Sequence, residues 1–242
     1  MITLDKTVVI IPTYNEISNI QKMLETLDRL HPTLNILIID DGSPDGTADV
    51  VKHFQQHKKN LHLLQRTGKL GLGTAYIKGF RWALENNYEA VITMDCDFSH
   101  EPEAIPSFAD KLGENDLVIG SRYAGGIRIM NWPMHRLLLS YFASIYARTI
   151  TGIPFFDSTG GFNGYTRKAL SKLNLDKVFS IGYAFQIELK YKVWSLGLPC
   201  LEVPITFYER NEGKSKMSKK IIVEAVVNVF RLRFKKLLGT LQ

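Results

Sequence analysis

Cysteine is nearly absent: among 242 residues only Cys96 and Cys200 carry a thiol, and they lie far apart. That excludes a disulfide framework and a cysteine-based zinc site, and it fits a reducing compartment. No uninterrupted apolar run reaches the roughly 18–20 residues needed to span a bilayer. No stretch rich in glycine, proline or serine divides the chain and no internal repeat is visible, so one domain is expected. Met1 leads into a segment carrying Asp5, which is not the pattern of a secretory leader. Charge of one sign is only mildly in excess, 30 Lys and Arg against 24 Asp and Glu, a net of +6. A surplus of that size hints at an anionic partner such as phosphate, nucleic acid or a lipid headgroup. The composition is otherwise that of a globular protein, 45% hydrophobic and 22% charged, which excludes disordered and collagen-like classes. A chain of this length buries roughly 70–75% of its unfolded surface and needs no staple.

Short apolar runs rich in β-branched residues read as strands buried on both faces: Thr7–Pro12, Asn35–Asp40, Leu61–Gln65, Ala90–Met94 and Asp116–Gly120. Helical spacing fills the intervals, over Asn15–Leu30, Gly46–Gln56, Gly73–Asn86 and about Glu103–Leu112. The alternation predicts an α/β fold with a mainly parallel, doubly wound sheet, helices on both faces and a ligand crevice at the strand C-termini. Beyond Gly120 the rhythm changes to helix Pro133–Thr149, strand Gly160–Thr166, helix Tyr183–Leu196 and strand Leu201–Tyr208. A final amphipathic helix spans Ser218–Leu238, with Lys220, Glu224, Asn228, Arg231 and Lys235 on one polar stripe and an apolar remainder. Two placements are open: the apolar face packs on the protein, or it lies in a membrane interface with basic residues toward anionic lipid.

The strand ends carry the chemistry. The first ends in Pro12-Thr13-Tyr14-Asn15-Glu16, the second in Asp40-Asp41-Gly42-Ser43-Pro44-Asp45, the fourth in Asp95-Cys96-Asp97-Phe98-Ser99-His100. Helix capping accounts for Asp45 or Asn15 as readily as function does. It accounts poorly for Asp95 and Asp97, which extended geometry would place on one side. Two like charges there need a cation, and oxygen-only donors suit Mg²⁺ or Mn²⁺. Arg136 and Ser140 are four apart and share a helix face, where guanidinium and hydroxyl can cradle a phosphate. Glu209–Lys216 reads as a polar, mobile loop whose Arg210, Lys214 and Lys216 could neutralise a diphosphate on closing. The stretch Lys69–Ala75 is no dinucleotide fingerprint, since Gly71-Leu72-Gly73 lacks the third glycine; it shapes a loop beside a nucleotide.

Together these stretches, with Gly120-Ser121-Arg122-Tyr123 and Asn131-Trp132-Pro133, resemble the inverting family 2 glycosyltransferases and, within them, the dolichol-phosphate mannose synthases, from about Val8 to Lys216. The family often carries Ala where Cys96 stands, and some relatives carry Gln where Ser99 stands. The resemblance implies a Rossmann-like A-type glycosyltransferase fold. It implies one domain over 1–217, with a nucleotide-binding half to about 120 and an acceptor-binding half from 121, and residues 218–242 as the tail helix. Pro12, Tyr14, Glu16 and Asp40 would hold the guanosine and ribose, and Asp95 would face the ribose and diphosphate. Asp95, Asp97 and Ser99 would bind Mg²⁺ or Mn²⁺, while Arg210 and Lys216 would close on the donor diphosphate. Ser121, Arg122, Arg136 and Ser140 would receive the acceptor phosphate. Asp95, Asp97, Arg122 and Arg210 are then the expected catalytic set.

The implied reaction moves mannose from GDP-mannose to a dolichyl or polyprenyl monophosphate. A phosphate oxygen, already anionic because its second pKa is about 6, needs no general base, so His100 is expected to be structural or to support the ligand-binding residues from behind. The expected place is peripheral, on the cytoplasmic face of a membrane, held by the tail, the lipid substrate or an integral partner subunit. Alternatives are the same reaction with another donor such as UDP-glucose, a nucleotidyltransferase releasing pyrophosphate, or a basic nucleic-acid- or lipid-binding module. The last leaves the acidic strand ends unexplained, and no nucleic-acid partner is expected.

Overall fold

A computed structural model describes residues 1–180, 182, 184–209 and 219–241, with the backbone alone over 219–222. In chain order its first half comprises β1 (Thr7–Thr13), α1 (Ile17–Leu30), β2 (Asn35–Asp40), α2 (Thr47–Gln55), β3 (Leu61–Gln65), α3 (Leu72–Glu85), β4 (Ala90–Thr93), α4 (Ile105–Lys111) and β5 (Leu117–Ser121). The second half comprises β6 (Ile129–Met130), α5 (Met134–Thr151), β7 (Asn163–Thr166), α6 (Arg167–Lys172), α7 (Ala184–Ser195), β8 (Cys200–Pro204), β9 (Phe207–Tyr208) and α8 (Lys219–Leu237).

The central strands explain why two helical layers form. Val8, Val9, Ile10 and Ile11 are all fully buried. Val8 and Ile10 join one hydrophobic cluster, with Leu37, Ile39, Tyr76 and Phe80. Val9 and Ile11 join another, with Ile36, Ile38, Leu24 and Phe108. This period-two alternation between two dry faces is the signature of a sheet covered on both sides. Helices α1, α2 and α4 cover one face, and α3, α6 and α7 the other.

The sheet order is β3-β2-β1-β4-β7-β5-β8. Every neighbouring pair is parallel except those of β7, which runs antiparallel to both β4 and β5. The strand order reverses direction between β1 and β4, so a crevice opens there at the strand C-termini. Thr13, Asp40, Thr93 and Ser121 end their strands on that edge. Because β7 is reversed, its beginning reaches the same edge, and the loop before it joins the crevice.

Three details depart from the sequence reading. The strand expected over Leu201–Tyr208 is two strands: Pro204 ends β8, and β9 crosses to pair with β6. Helix α6, which follows β7 without a gap, was not anticipated. The third concerns the tail. Asn228 on the polar stripe is buried and donates to Ser180 Oγ at 3.1 Å, and Arg231 and Lys235 lie over the Phe179 ring. The stripe therefore faces the protein. Val229 and Leu232 enter the core, while Val227, Phe230 and Phe234 are more than half exposed.

Candidate functional site

At the β1 and β2 ends, carboxylates organise the loops. Asp40 is fully buried. Its Oδ1 accepts from Thr13 Oγ1 at 3.1 Å and Ser43 Oγ at 2.5 Å, and its Oδ2 accepts from the Ser43 N–H at 2.9 Å. Asp40 thus shapes the rim rather than presenting a carboxylate to a ribose. Asp45 accepts the N–H groups of Ile17 and Thr47, capping both α1 and α2. Asn15 makes no cap; it adopts φ of 57° and turns the chain between β1 and α1. Pro12, Tyr14 and Glu16 are half-buried along this turn, and Glu16 accepts from Asn19 Nδ2. The Lys69 ammonium lies 5.0 Å from the Tyr14 ring centroid. Asp41, buried on Arg66 at 3.1 Å, sits on this rim as well. Gly73 is required by packing: a Cβ there would meet Ser180 O at 2.7 Å and the Phe185 ring at 2.8 Å, so the glycine-rich stretch seats α3 against the α7 entry.

The segment after β4 is bent from Cys96 to His100, not extended, because Phe98 takes φ of 59° and Asp97 Oδ1 accepts the Ser99 N–H at 3.1 Å. Alternation is therefore not what relates Asp95 to Asp97. Both are half-buried, whereas Cys96 packs into the core. Ser99 is 1% exposed and tied by its carbonyl to the Tyr208 N–H. The expected donors are thus two half-buried carboxylates and the hydroxyl of a buried serine. His100 does not add to them, since its Nδ1 accepts the Asp95 N–H at 3.2 Å. Among the described residues no three His, Cys, Asp or Glu side chains group closely enough to hold a metal alone. Two carboxylates with the remaining positions left to phosphate oxygens is the arrangement Mg²⁺ or Mn²⁺ accepts.

Burial pushes His100 down to about 4, against the nearby Asp97 charge, so the ring is neutral at pH 7. A buried neutral histidine binds its proton less readily than the unfolded chain does. Stability therefore rises with pH across the window from about 4 to 6.5 and is lost as pH falls through it. Without added divalent cation, the urea midpoint of the protein is expected to drop from pH 7 to pH 5, and His100→Gln to flatten that slope.

Beyond Asp95 opens a cavity of about 340 Å³. Its polar end is formed by Asp95, His100, Arg122, Arg136, Ser140 and Gln186, and its apolar end by residues of α5, α7 and α8 including Phe142, Tyr146, Ile187, Val226 and Val229. A methyl group at Gly161 would lie 3.7 Å from Gln186 Nε2, 3.8 Å from His100 Cε1 and 4.0 Å from Asp95 Oδ1, so these groups converge on one spot. Arg122 and Asp157 are buried together. Nε and Nη2 of Arg122 donate to the two carboxylate oxygens at 2.6 and 2.8 Å, and the Arg122 N–H adds a third bond at 3.0 Å. Burial opposes both charges, but each partner outweighs it, holding the Asp157 carboxyl well below its usual range and the guanidinium firmly charged. Tyr123, Trp132 and Phe207 surround that guanidinium. Lys190, fully buried and lowered to about 8 by burial, fixes the loop carrying Asp157 by donating to the carbonyls of Asp157, Ser158 and Gly160 at 3.1, 3.3 and 2.8 Å.

Arg136 and Ser140 both line the cavity, as their shared helix face implied; Ser140 Oγ accepts from Tyr123 OH at 2.8 Å. Ser121 is different. It is fully buried and its Oγ accepts the N–H groups of Tyr123 and Ala124, so its hydroxyl holds the β5 turn and does not line the cavity. Arg210, Lys214 and Lys216 lie outside the described residues. Three side-chain donors at the polar end, Trp132 Nε1, Arg136 Nε and Gln186 Nε2, are buried with no acceptor among the described residues. Trp132, Asp157, Gln186 and Lys190 were not singled out as site residues from the sequence. Trp132 lay within a recognised motif, but only tertiary contact brings Asp157 and Lys190 to Arg122.

A profile of glycosyl transferase family 2 matches residues 8–173. The chain is 43% identical over 226 residues to the undecaprenyl-phosphate mannosyltransferase of Micrococcus luteus, covering 93% of each protein. It is 42% identical to the polyprenol monophosphomannose synthase of Mycolicibacterium smegmatis, covering 93% of this chain and 85% of that one. Among solved structures it resembles glucosyl-3-phosphoglycerate synthase from Mycobacterium tuberculosis, crystallised with Mn²⁺, UDP and phosphoglyceric acid. There the TM-score is 0.66 at 17% identity, with 97% of this chain and 78% of that one covered.

Proposed function

Since the chain belongs to glycosyl transferase family 2, we propose that it transfers mannose from GDP-mannose to a polyprenyl monophosphate, releasing GDP and inverting the anomeric carbon. The observation that carries the reading is the two-ended cavity. Its polar end offers guanidinium, indole and amide donors that lack acceptors among the described residues, and its apolar end is walled by α5, α7 and α8. An anionic head on a long apolar tail satisfies both ends. The relatives named for polyprenyl phosphates support the same acceptor. The nucleotide-binding half is then about 1–120 and the acceptor half begins at 121, with α8 completing the acceptor cavity.

The donor nucleotide lies along Pro12, Tyr14, Glu16 and the Asp40–Asp41 rim, its diphosphate toward Asp95 and Asp97. Asp95, Asp97 and Ser99 are the residues that would hold Mg²⁺ or Mn²⁺, and the ion would supply positive charge beside the leaving diphosphate. Arg122 and Arg136 hold the acceptor phosphate next to Asp95. An acceptor oxygen forms the new bond to the anomeric carbon as the bond to the diphosphate breaks, and GDP departs with the electron pair. The phosphate is already ionised near neutral pH. No proton need be removed, which agrees with a neutral His100 whose Nδ1 is engaged by backbone.

The acceptor also accounts for the surface around the cavity. Among the described residues no helix is long and apolar enough to cross a membrane. Yet Met134, Phe142, Phe230 and Phe234 are more than half exposed on α5 and α8, which touch where Tyr146 OH donates to Val226 O and its ring meets Phe230. This face adjoins the apolar end of the cavity and rests peripherally on a membrane. Phe230→Glu with Phe234→Glu is expected to weaken pelleting with anionic vesicles at least about tenfold, since withholding two phenyl groups from lipid costs more than about 1.4 kcal/mol. The thermal midpoint should fall only slightly, because both rings are more than half exposed and only Phe230 gives up a ring contact, with Tyr146.

The test of the function is a transfer assay with undecaprenyl phosphate, Mn²⁺ and either GDP-mannose or UDP-glucose. Mannosyl phospholipid from GDP-mannose is expected. Transfer from UDP-glucose alone would replace the donor assignment, and pyrophosphate release would overturn the reaction class.

A further inference from the structure

Gly161 stands in the loop before β7 with its backbone fixed. Its carbonyl accepts from Thr93 Oγ1 at 2.6 Å, and the next carbonyl, of Phe162, accepts the Gly120 N–H at 2.9 Å. Packing does not demand a glycine here. Its φ lies outside the left-handed region, and among the described residues a Cβ would meet nothing nearer than 3.7 Å. At Gly164, by contrast, a Cβ would meet the Leu112 side chain at 2.8 Å. The space a side chain would take at position 161 belongs to the cavity, which Gly161 lines together with Asp95, His100 and Gln186. The groups around that space are neutral apart from one carboxylate. Gln186 is buried and its amide is oriented by β7, because Asn163 Nδ2 donates both to Gly160 O at 3.0 Å and to Gln186 Oε1 at 3.1 Å. Nε2 is thereby the Gln186 atom nearest the space, at 3.7 Å, with Cε1 of the neutral His100 ring at 3.8 Å and Asp95 Oδ1 at 4.0 Å.

We propose that Gly161 and Gln186 form the subsite for the transferred sugar: the missing side chain makes room for the ring, and the Gln186 amide donates to one of its hydroxyls. The proposal rests on reading the Asp95–Asp97 edge as the place of the donor diphosphate and Arg122 with Arg136 as that of the acceptor phosphate. The sugar must lie between the two, and Gly161 and Gln186 line the same polar end of the cavity. The chemistry of the spot selects a hydroxyl over a phosphate. None of the three groups nearest to it is a cation, so a phosphate finds no counter-charge there. A hydroxyl is both donor and acceptor; it can accept from the Gln186 amide and donate to the Asp95 carboxylate. Because these contacts reach only the sugar, changing them alters the sugar-bearing donor and spares the bare nucleotide and the lipid phosphate. A purely structural role for Gly161 or Gln186 would affect all three ligands together.

The experiment measures binding of GDP with Mn²⁺, GDP-mannose with Mn²⁺, and farnesyl phosphate to the full chain by calorimetry, for wild type, Gly161→Ala and Gln186→Met. A methyl group at position 161 fits its protein neighbours but takes the space of the sugar, so Gly161→Ala should bind GDP-mannose at least about tenfold more weakly. Gln186→Met removes one neutral hydrogen bond and should weaken GDP-mannose about three- to tenfold. Both variants should bind GDP and farnesyl phosphate as wild type does. Wild-type affinity for GDP-mannose in Gly161→Ala, or GDP and GDP-mannose weakened equally in either variant, overturns the proposal. So does a Gln186→Met variant that loses farnesyl phosphate and keeps GDP-mannose, since the amide would then serve the acceptor. A wild-type protein that binds neither GDP nor GDP-mannose overturns the donor reading beneath it.

Discussion

Asp157→Asn is expected to cost about 3–5 kcal/mol of folding stability and to raise the acceptor KM by about 10–100-fold. The Asp157 carboxylate accepts five bonds shorter than 3.3 Å, from the N–H, Nε and Nη2 of Arg122 and the N–H groups of Thr159 and Gly160. An amide in its place keeps one acceptor oxygen, turns an NH₂ group toward donors and leaves the Arg122 cation buried without a counter-charge. Against a typical total of about 5–15 kcal/mol, that loss is large. Denaturant unfolding and acceptor kinetics read the two effects separately. A second variant distinguishes them. Replacing both partners, Arg122→Met with Asp157→Leu, removes the buried Arg122–Asp157 charge pair together, so much of the stability should return, while acceptor use stays impaired because the phosphate is left with the Arg136 guanidinium alone. Recovery of activity in the double variant would remove Arg122 from the acceptor site.

Asp97→Asn is expected to lower kcat by about 10²–10³-fold, the scale set by removing one group that stabilises charge developing in a transition state, with the thermal midpoint nearly unchanged. Asparagine keeps an oxygen for the Ser99 N–H, so the turn survives. What is lost is negative charge where the divalent cation would be held. Titrating Mn²⁺ should show a raised requirement for the ion, and full turnover at ordinary Mn²⁺ would contradict the assignment.

How far these sites can be read from sequence depends on how local their causes are. The runs Val8–Ile11 and Ile36–Ile39 announce buried strands because each residue is apolar, and the polar residues that end them must then emerge at one sheet edge. Arg136 and Ser140 share a helix face by spacing alone. The bend at Phe98 was not legible, because a left-handed residue there depends on Asp97 folding back onto the Ser99 N–H. Asp40 and Ser121 resembled ligands by position. Burial turned both inward, and each now satisfies backbone groups of its own turn. The reversal of β7 brings Asp157 to Arg122 across 35 positions, and the Glu209–Arg136 pair spans 73; no periodicity carries such distances. The tail helix shows its stripe correctly but not which side faces the protein, since Phe179 and Ser180 decide that.

The proposed transfer requires two phosphorylated compounds to meet at the Asp95 edge of one cavity. Anomalous diffraction from crystals soaked with Mn²⁺, GDP and farnesyl phosphate tests it most directly. The expected map places the ion at Asp95 and Asp97, the lipid phosphate on Arg122 and Arg136, and the farnesyl chain between α5 and α8. An ion distant from Asp97, or a lipid phosphate bound away from both arginines, would contradict it.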